Sequence, residues 1–165
     1  MDLVEKQAEK QSLQKRFPAV DLAYPIALSA YETILKRLDA LDNRVQTTMA
    51  FAATITLAIP AITTGKGLTF RSHWFVAALV FYGIGNIIGV IARLKGMIVL
   101  PSPKEIFENY LDLSEWEFKK DTIFWAGENY RNNNKLLLLR SRLLNVMSLF
   151  FGAEVVSLAV WALGI

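Results

Sequence analysis

One carboxylate stands where a carboxylate is costly. Glu154 lies within residues 143–165, a run of 23 residues with no other formal charge, and an acid at the centre of a bilayer costs about 2.5–3.5 kcal/mol on insertion scales. Such a group faces a protein interior or water, where it can exchange a proton, line an ion path or glue helices together. Two more charge-free runs of 21 residues each, 45–65 and 72–92, bring partners to its depth. If the three runs cross in alternating directions, their midpoints fall near Thr54, Gly83 and Ala153. Thr54, Thr56, Tyr82, Asn86 and Glu154 then share one layer. Glu154 is expected to hydrogen-bond to Asn86 or a threonine. The layer is read either as a pore lining, proton path or subunit seam, or as a contact that only fixes helix packing.

Small residues surround that layer at four-residue spacing: Gly85 and Gly89 as GxxxG, Ala50, Thr54 and Ala58 on the first run, and Ala153 and Ser157 on the third. Faces of this kind let helix backbones approach closely. The spacing leaves open whether the partner is in the same chain or another.

Other chemistry has little to work with. The chain has no cysteine and one histidine, His73, which leaves no thiolate or imidazole constellation for a metal, and no cofactor is expected. No phosphate-loop, dinucleotide, nucleophile-elbow or zinc-protease motif occurs. The carboxylates Glu105, Glu108, Asp112, Glu115, Glu117, Asp121 and Glu128 are spaced as on a solvated helix surface, so no enzyme is expected. A net charge of +3 is too small to indicate nucleic acid. Arg37, Arg44, Arg93, Lys95, Arg140 and Arg142 are the cations available to an anionic ligand, and each is also explained by anchoring to anionic lipid head groups.

The elements that must carry these residues are helices. A hydrocarbon core of about 30 Å needs about 20 apolar residues at about 1.5 Å each, so the three runs define an all-α integral membrane protein with three transmembrane helices. Of the Lys and Arg, seven lie in residues 1–45, two in 66–71 and nine in 93–142. That bias places 1–44 and 93–142 in the cytoplasm as helical extensions, with the C-terminus outside. The expected organisation is an N-terminal helical segment 1–44, a transmembrane hairpin 45–92, a cytoplasmic segment 93–142 and a third span 143–165. Leu28, Tyr31, Leu35, Leu38 and Val45 form one stripe of a helix that should begin after Pro25 and run into the first span. Ser102-Pro103-Lys104-Glu105 and Ser114-Glu115-Trp116-Glu117 are capping boxes, the second opening one long helix into the third span. The aromatics Phe107, Tyr110, Trp116, Phe118, Phe124, Trp125 and Tyr130 are expected to pack these helices together rather than to form a ligand pocket.

Two stretches carry a resemblance. Residues 38–44 (LDALDNR) lead into the first span and residues 128–135 (ENYRNNNK) precede the third. In this layout, over about residues 28–165, the chain resembles the small transmembrane effectors of bacterial anti-phage defence, the SLATT and Pycsar-effector group. The resemblance implies a homo-oligomeric effector that disrupts membrane integrity or forms a pore when a sensor protein or a cyclic nucleotide signals infection. The chain departs from members with a recognisable soluble sensor domain, since the parts expected in the cytoplasm are the N-terminal segment and the segment between the second and third spans. Two alternatives stand beside it: a non-conducting accessory subunit docking through the small-residue faces, and a small ion or proton carrier in which Glu154 titrates.

Overall fold

The computed structural model describes residues 12, 17–63, 72–94 and 112–164. Most of these residues lie in three helices: α1, Val20–Thr63; α2, His73–Leu94; and α3, Glu115–Leu163. Among the described residues there is no strand. All three helices are long and apolar enough to cross a membrane, which suggests a multi-pass membrane protein. The Ser102 capping box, Phe107, Tyr110 and Lys95 lie outside the described residues.

Local sequence sets the helix ends. Helix α3 opens on Ser114, whose hydroxyl accepts from the Glu117 amide at 3.4 Å while the Glu117 carboxylate accepts from the Ser114 amide at 3.0 Å. This reciprocal arrangement satisfies two amides that the helix itself cannot. It then runs through Gly127 and Gly152 without a break and stops at Gly164, the one described residue with positive φ, at 71°. Helix α1 departs from expectation. It begins at Val20, ahead of Pro25, and passes through both Pro25 and Pro60. Proline removes the bond to the carbonyl four residues back. For Pro25 that carbonyl is Asp21, in the first turn of a 44-residue helix, so one missing bond near an exposed end does not stop it.

A seven-residue period runs along the buried side of α3: Ala126, Asn133, Arg140, Met147, Glu154 and Trp161 are all buried, as are Leu144, Phe151 and Leu158 beside them. On α1 the matching set is Tyr31, Leu38, Val45 and Ala52. Repeats of seven keep one seam facing a partner helix, as in a coiled coil.

The chain divides into two compact units, residues 1–36 with 98–134, and residues 37–97 with 135–165. In the first unit Lys119 bridges Asp21 at 2.8 Å and Glu115 at 2.6 Å, and these hydrogen bonds hold its ammonium well above the usual lysine range. Tyr31 meets Trp125 edge-on with centroids 5.1 Å apart. Burial pushes the Tyr31 phenol up, a hydrogen bond with Asn133 working against it. Trp116 lies against Phe17, centroids 6.5 Å apart, whereas Phe124 and Tyr130 are exposed.

The second unit has two apolar clusters. One joins Val45 and Ala52 of α1, Ala92 of α2, and Leu144, Met147 and Phe151 of α3; the other joins Ala78 of α2 with Leu158 and Trp161 of α3, flanked by Ile55 and Ile59 of α1. Residue numbers rise together on α1 and α3 from one cluster to the next and fall on α2. Within this unit α1 and α3 are therefore parallel and α2 runs between the clusters in the opposite sense. Large apolar side chains on the other sides of the helices, including Phe51, Leu57, Ile62, Val80, Ile87, Leu149 and Val156, are exposed. An outward apolar surface of this kind is what lipid tails cover.

Candidate functional site: a buried carboxyl between helices

Position 154 falls on the seven-residue stripe of α3, so the helix itself directs the Glu154 carboxyl inward, where it is 0% exposed. Helix α1 meets it with Thr56. The Thr56 hydroxyl hydrogen-bonds to Glu154 Oε1 and also lies 2.8 Å from the Ala52 carbonyl of its own helix. A hydroxyl has one proton and two acceptor positions. The Thr56 proton is therefore shared between the Glu154 carboxyl and the Ala52 carbonyl, or serves one of them at a time. The second carboxyl oxygen, Oε2, is buried and has no hydrogen-bond partner among the described residues. The site is a carboxyl with one helix-to-helix bond made and one acceptor unused.

The rest of the expected layer divides. Asn86, on α2, donates its amide to the Tyr82 carbonyl at 2.9 Å and not to Glu154. Tyr82 is half-buried and its ring lies 6.2 Å from that of Phe151. Thr54 faces outward, its hydroxyl donating to the Ala50 carbonyl at 2.9 Å. Of this layer only Thr56 and Glu154 are brought together from different helices.

Small residues take two different positions. A Cβ on Gly85 would run into the Phe151 ring, and one on Gly89 would lie 2.7 Å from the Met49 sulfur and 2.9 Å from that of Met147. Both glycines are therefore filled by side chains of this chain. Ser157 is buried and Ala153 half-buried on α3, the Ser157 hydroxyl donating to the Ala153 carbonyl at 2.9 Å. Ala50, Thr54 and Ala58 instead present an exposed stripe on α1.

The cations separate as sharply. Arg140 is buried, its Nη1 donating to both carboxylate oxygens of Asp42 at 2.9 and 3.0 Å, and its Nη2 to the Arg93 carbonyl at 3.4 Å. It is an internal tie and not a free ligand for an anion. Arg37, Arg44, Arg93 and Arg142 are exposed. Asp42 was not among the expected site residues; the signal that could have found the pair is the seven-residue period that puts Arg140 on the same stripe as Glu154. That period also turns Asn133 inward; Asn129, one turn before it, is buried as well, while Asn132 and Lys135 are exposed.

Among the described residues no group of His, Asp and Glu side chains could hold a metal. The chain matches no family model, and no curated protein or solved structure matches it either.

Proposed function

We propose that this chain is a multi-pass inner-membrane effector that self-associates on a defence signal and opens the membrane to ions, and that the arrangement described above is its closed form. The observation that carries the proposal is Glu154. An acid at mid-span costs about 2.5–3.5 kcal/mol, and acids at such positions usually mark ion or proton paths. Here one carboxyl oxygen is bonded to Thr56 and the other has no partner among the described residues, so the contact has capacity beyond what helix packing requires.

Three spans are too few to enclose a wide aqueous path, so conduction requires several copies. The exposed Ala50, Thr54 and Ala58 stripe gives a second copy a close approach. Opening then consists of Glu154 leaving Thr56 for water or for a polar group of a neighbouring copy. The excess of Lys and Arg outside the short 66–71 loop supports a cytoplasmic N-terminus and an external C-terminus. In that orientation a sensor protein or a cyclic nucleotide would act on the cytoplasmic segments. An accessory subunit docking through Gly85 and Gly89 is less well supported, because this chain's own side chains occupy those positions.

The test is controlled expression in a bacterium with a voltage-sensitive dye, with the neighbouring gene product or candidate trigger supplied. The parent should depolarise the cells; Glu154→Gln, which keeps the shape and a bond to Thr56, and the pair Ala50→Leu with Ala58→Leu should not, at equal membrane levels. A parent that never depolarises under any of these conditions sinks the proposal.

A further inference from the structure

Two arginines on α1 line an apolar groove. Arg37 and Arg44 are seven residues apart, which puts them on one face of the helix about 10 Å apart along its axis. Among the described residues neither guanidinium has a carboxylate partner. Arg140, by contrast, spends its charge on Asp42. The groove beside them has a cavity volume of about 340 Å³. Leu41 of α1 and Leu137 and Leu138 of α3 supply its apolar wall, and Ser141 adds a hydroxyl; no acidic side chain lines it. Its position along the sequence is also informative. Arg44 is the last charged residue before the charge-free run 45–65, and Arg142 the last before the run that begins at residue 143. The groove therefore lies where the apolar helices meet the head-group level of a bilayer.

We infer that this groove binds one anionic glycerophospholipid, its phosphate held by Arg37 and Arg44 and the start of an acyl chain laid along Leu41, Leu137 and Leu138. Guanidinium groups match phosphate oxygens in pairs of charge-assisted hydrogen bonds. A free phosphate would use the arginines and leave the leucines wet, whereas a phospholipid covers both. The inference rests on placement of the chain in a membrane but not on the opening step proposed above.

The full chain, purified in a neutral detergent, is titrated with phosphatidylglycerol or phosphatidylcholine, and bound lipid is counted by native mass spectrometry. Phosphatidylglycerol should bind one per chain in preference to phosphatidylcholine. Arg37→Gln and Arg44→Gln should each weaken it about fivefold, and the double variant about thirtyfold. Arg142→Gln, exposed and outside the groove, should leave binding unchanged. Equal binding of phosphatidylcholine, equal weakening by Arg142→Gln, or displacement by glycerol phosphate as effective as by the lipid would each overturn the assignment. Carbonate extraction of membranes reads insertion separately: a chain that stays embedded but shows no lipid preference refutes the groove alone, and a chain that is extracted refutes the membrane placement on which both proposals stand.

Discussion

Two polar contacts join α1 to α3 within the second unit, and they are built on opposite principles. Asp42 with Arg140 and Thr56 with Glu154 have the same sequence separation, 98 residues, and lie two heptads apart on the same helix faces. At the first, a buried guanidinium takes both oxygens of a carboxylate that is itself partly open to solvent, and a backbone carbonyl takes another of its N–H groups. Charge and hydrogen-bonding capacity are both accounted for. At the second, a wholly buried carboxyl has a hydroxyl on one oxygen and, among the described residues, no partner on the other. A satisfied ion pair at a fixed heptad position sets register; a half-satisfied acid is where a second arrangement has something to gain.

Breaking the first contact should give the largest loss of stability. Asp42→Ala leaves the buried Arg140 with its carboxylate gone, and stranded buried charges cost about 3–5 kcal/mol; a loss of about 3 kcal/mol is expected, because the Arg93 carbonyl remains. Removing the other member should cost less, since Asp42 keeps part of its solvent. Thermal unfolding in detergent micelles compares the two directly, and a smaller loss for Asp42→Ala than for Arg140→Gln would contradict the division of roles.

Next comes Thr56→Val, which leaves both carboxyl oxygens unserved and should destabilise by about 1–3 kcal/mol. Glu154→Leu removes the polar group altogether and should be neutral or stabilising. A double-mutant cycle of the two must show strong coupling; additive effects would mean that the hydroxyl and the carboxyl do not depend on each other.

The glycines sharpen the same contrast between filled and open space. Gly85→Ala should cost about 1–3 kcal/mol, since the Phe151 ring has to move. Gly127→Ala has the opposite sign. No atom lies within 4 Å of the added methyl, and the helix should gain up to about 1 kcal/mol of propensity.

The smallest effect belongs to Tyr31, in the first unit. Its phenol is raised by burial, so its contribution is complete below the unfolded value near 10.0 and is lost as pH climbs through the folded one. Tyr31→Phe should therefore flatten the alkaline limb of the stability profile and change little at neutral pH.

Much of this architecture is legible in the sequence, and for physical reasons. Charge-free runs of about 20 residues have few uses other than a membrane span, and the Ser114 box states its helix start by the side chains that cap it. Glu154 stands out because an acid there is expensive. Pro25 misleads, because the rule that proline stops helices assumes an interior position and says little about the second turn. Asn86 misleads differently: depth alone puts it beside Glu154, but rotation about α2 turns its amide back onto Tyr82. The Asp42–Arg140 pair is half legible: the seven-residue period of α3 turns Arg140 inward, but Asp42 alone looks like an ordinary charge, and its role as partner follows only from α1 and α3 lying in parallel register.

The central claim is that Glu154 is kept for function and not for stability. The most direct measurement is ion flux into sealed liposomes holding the purified chain, with Glu154→Leu compared at equal protein content. The parent should dissipate an imposed potassium or proton gradient once assembled, and Glu154→Leu, melting at the same temperature or higher, should not. If Glu154→Leu conducts as well as the parent, or melts well below it, the carboxyl is a packing element and the account is wrong.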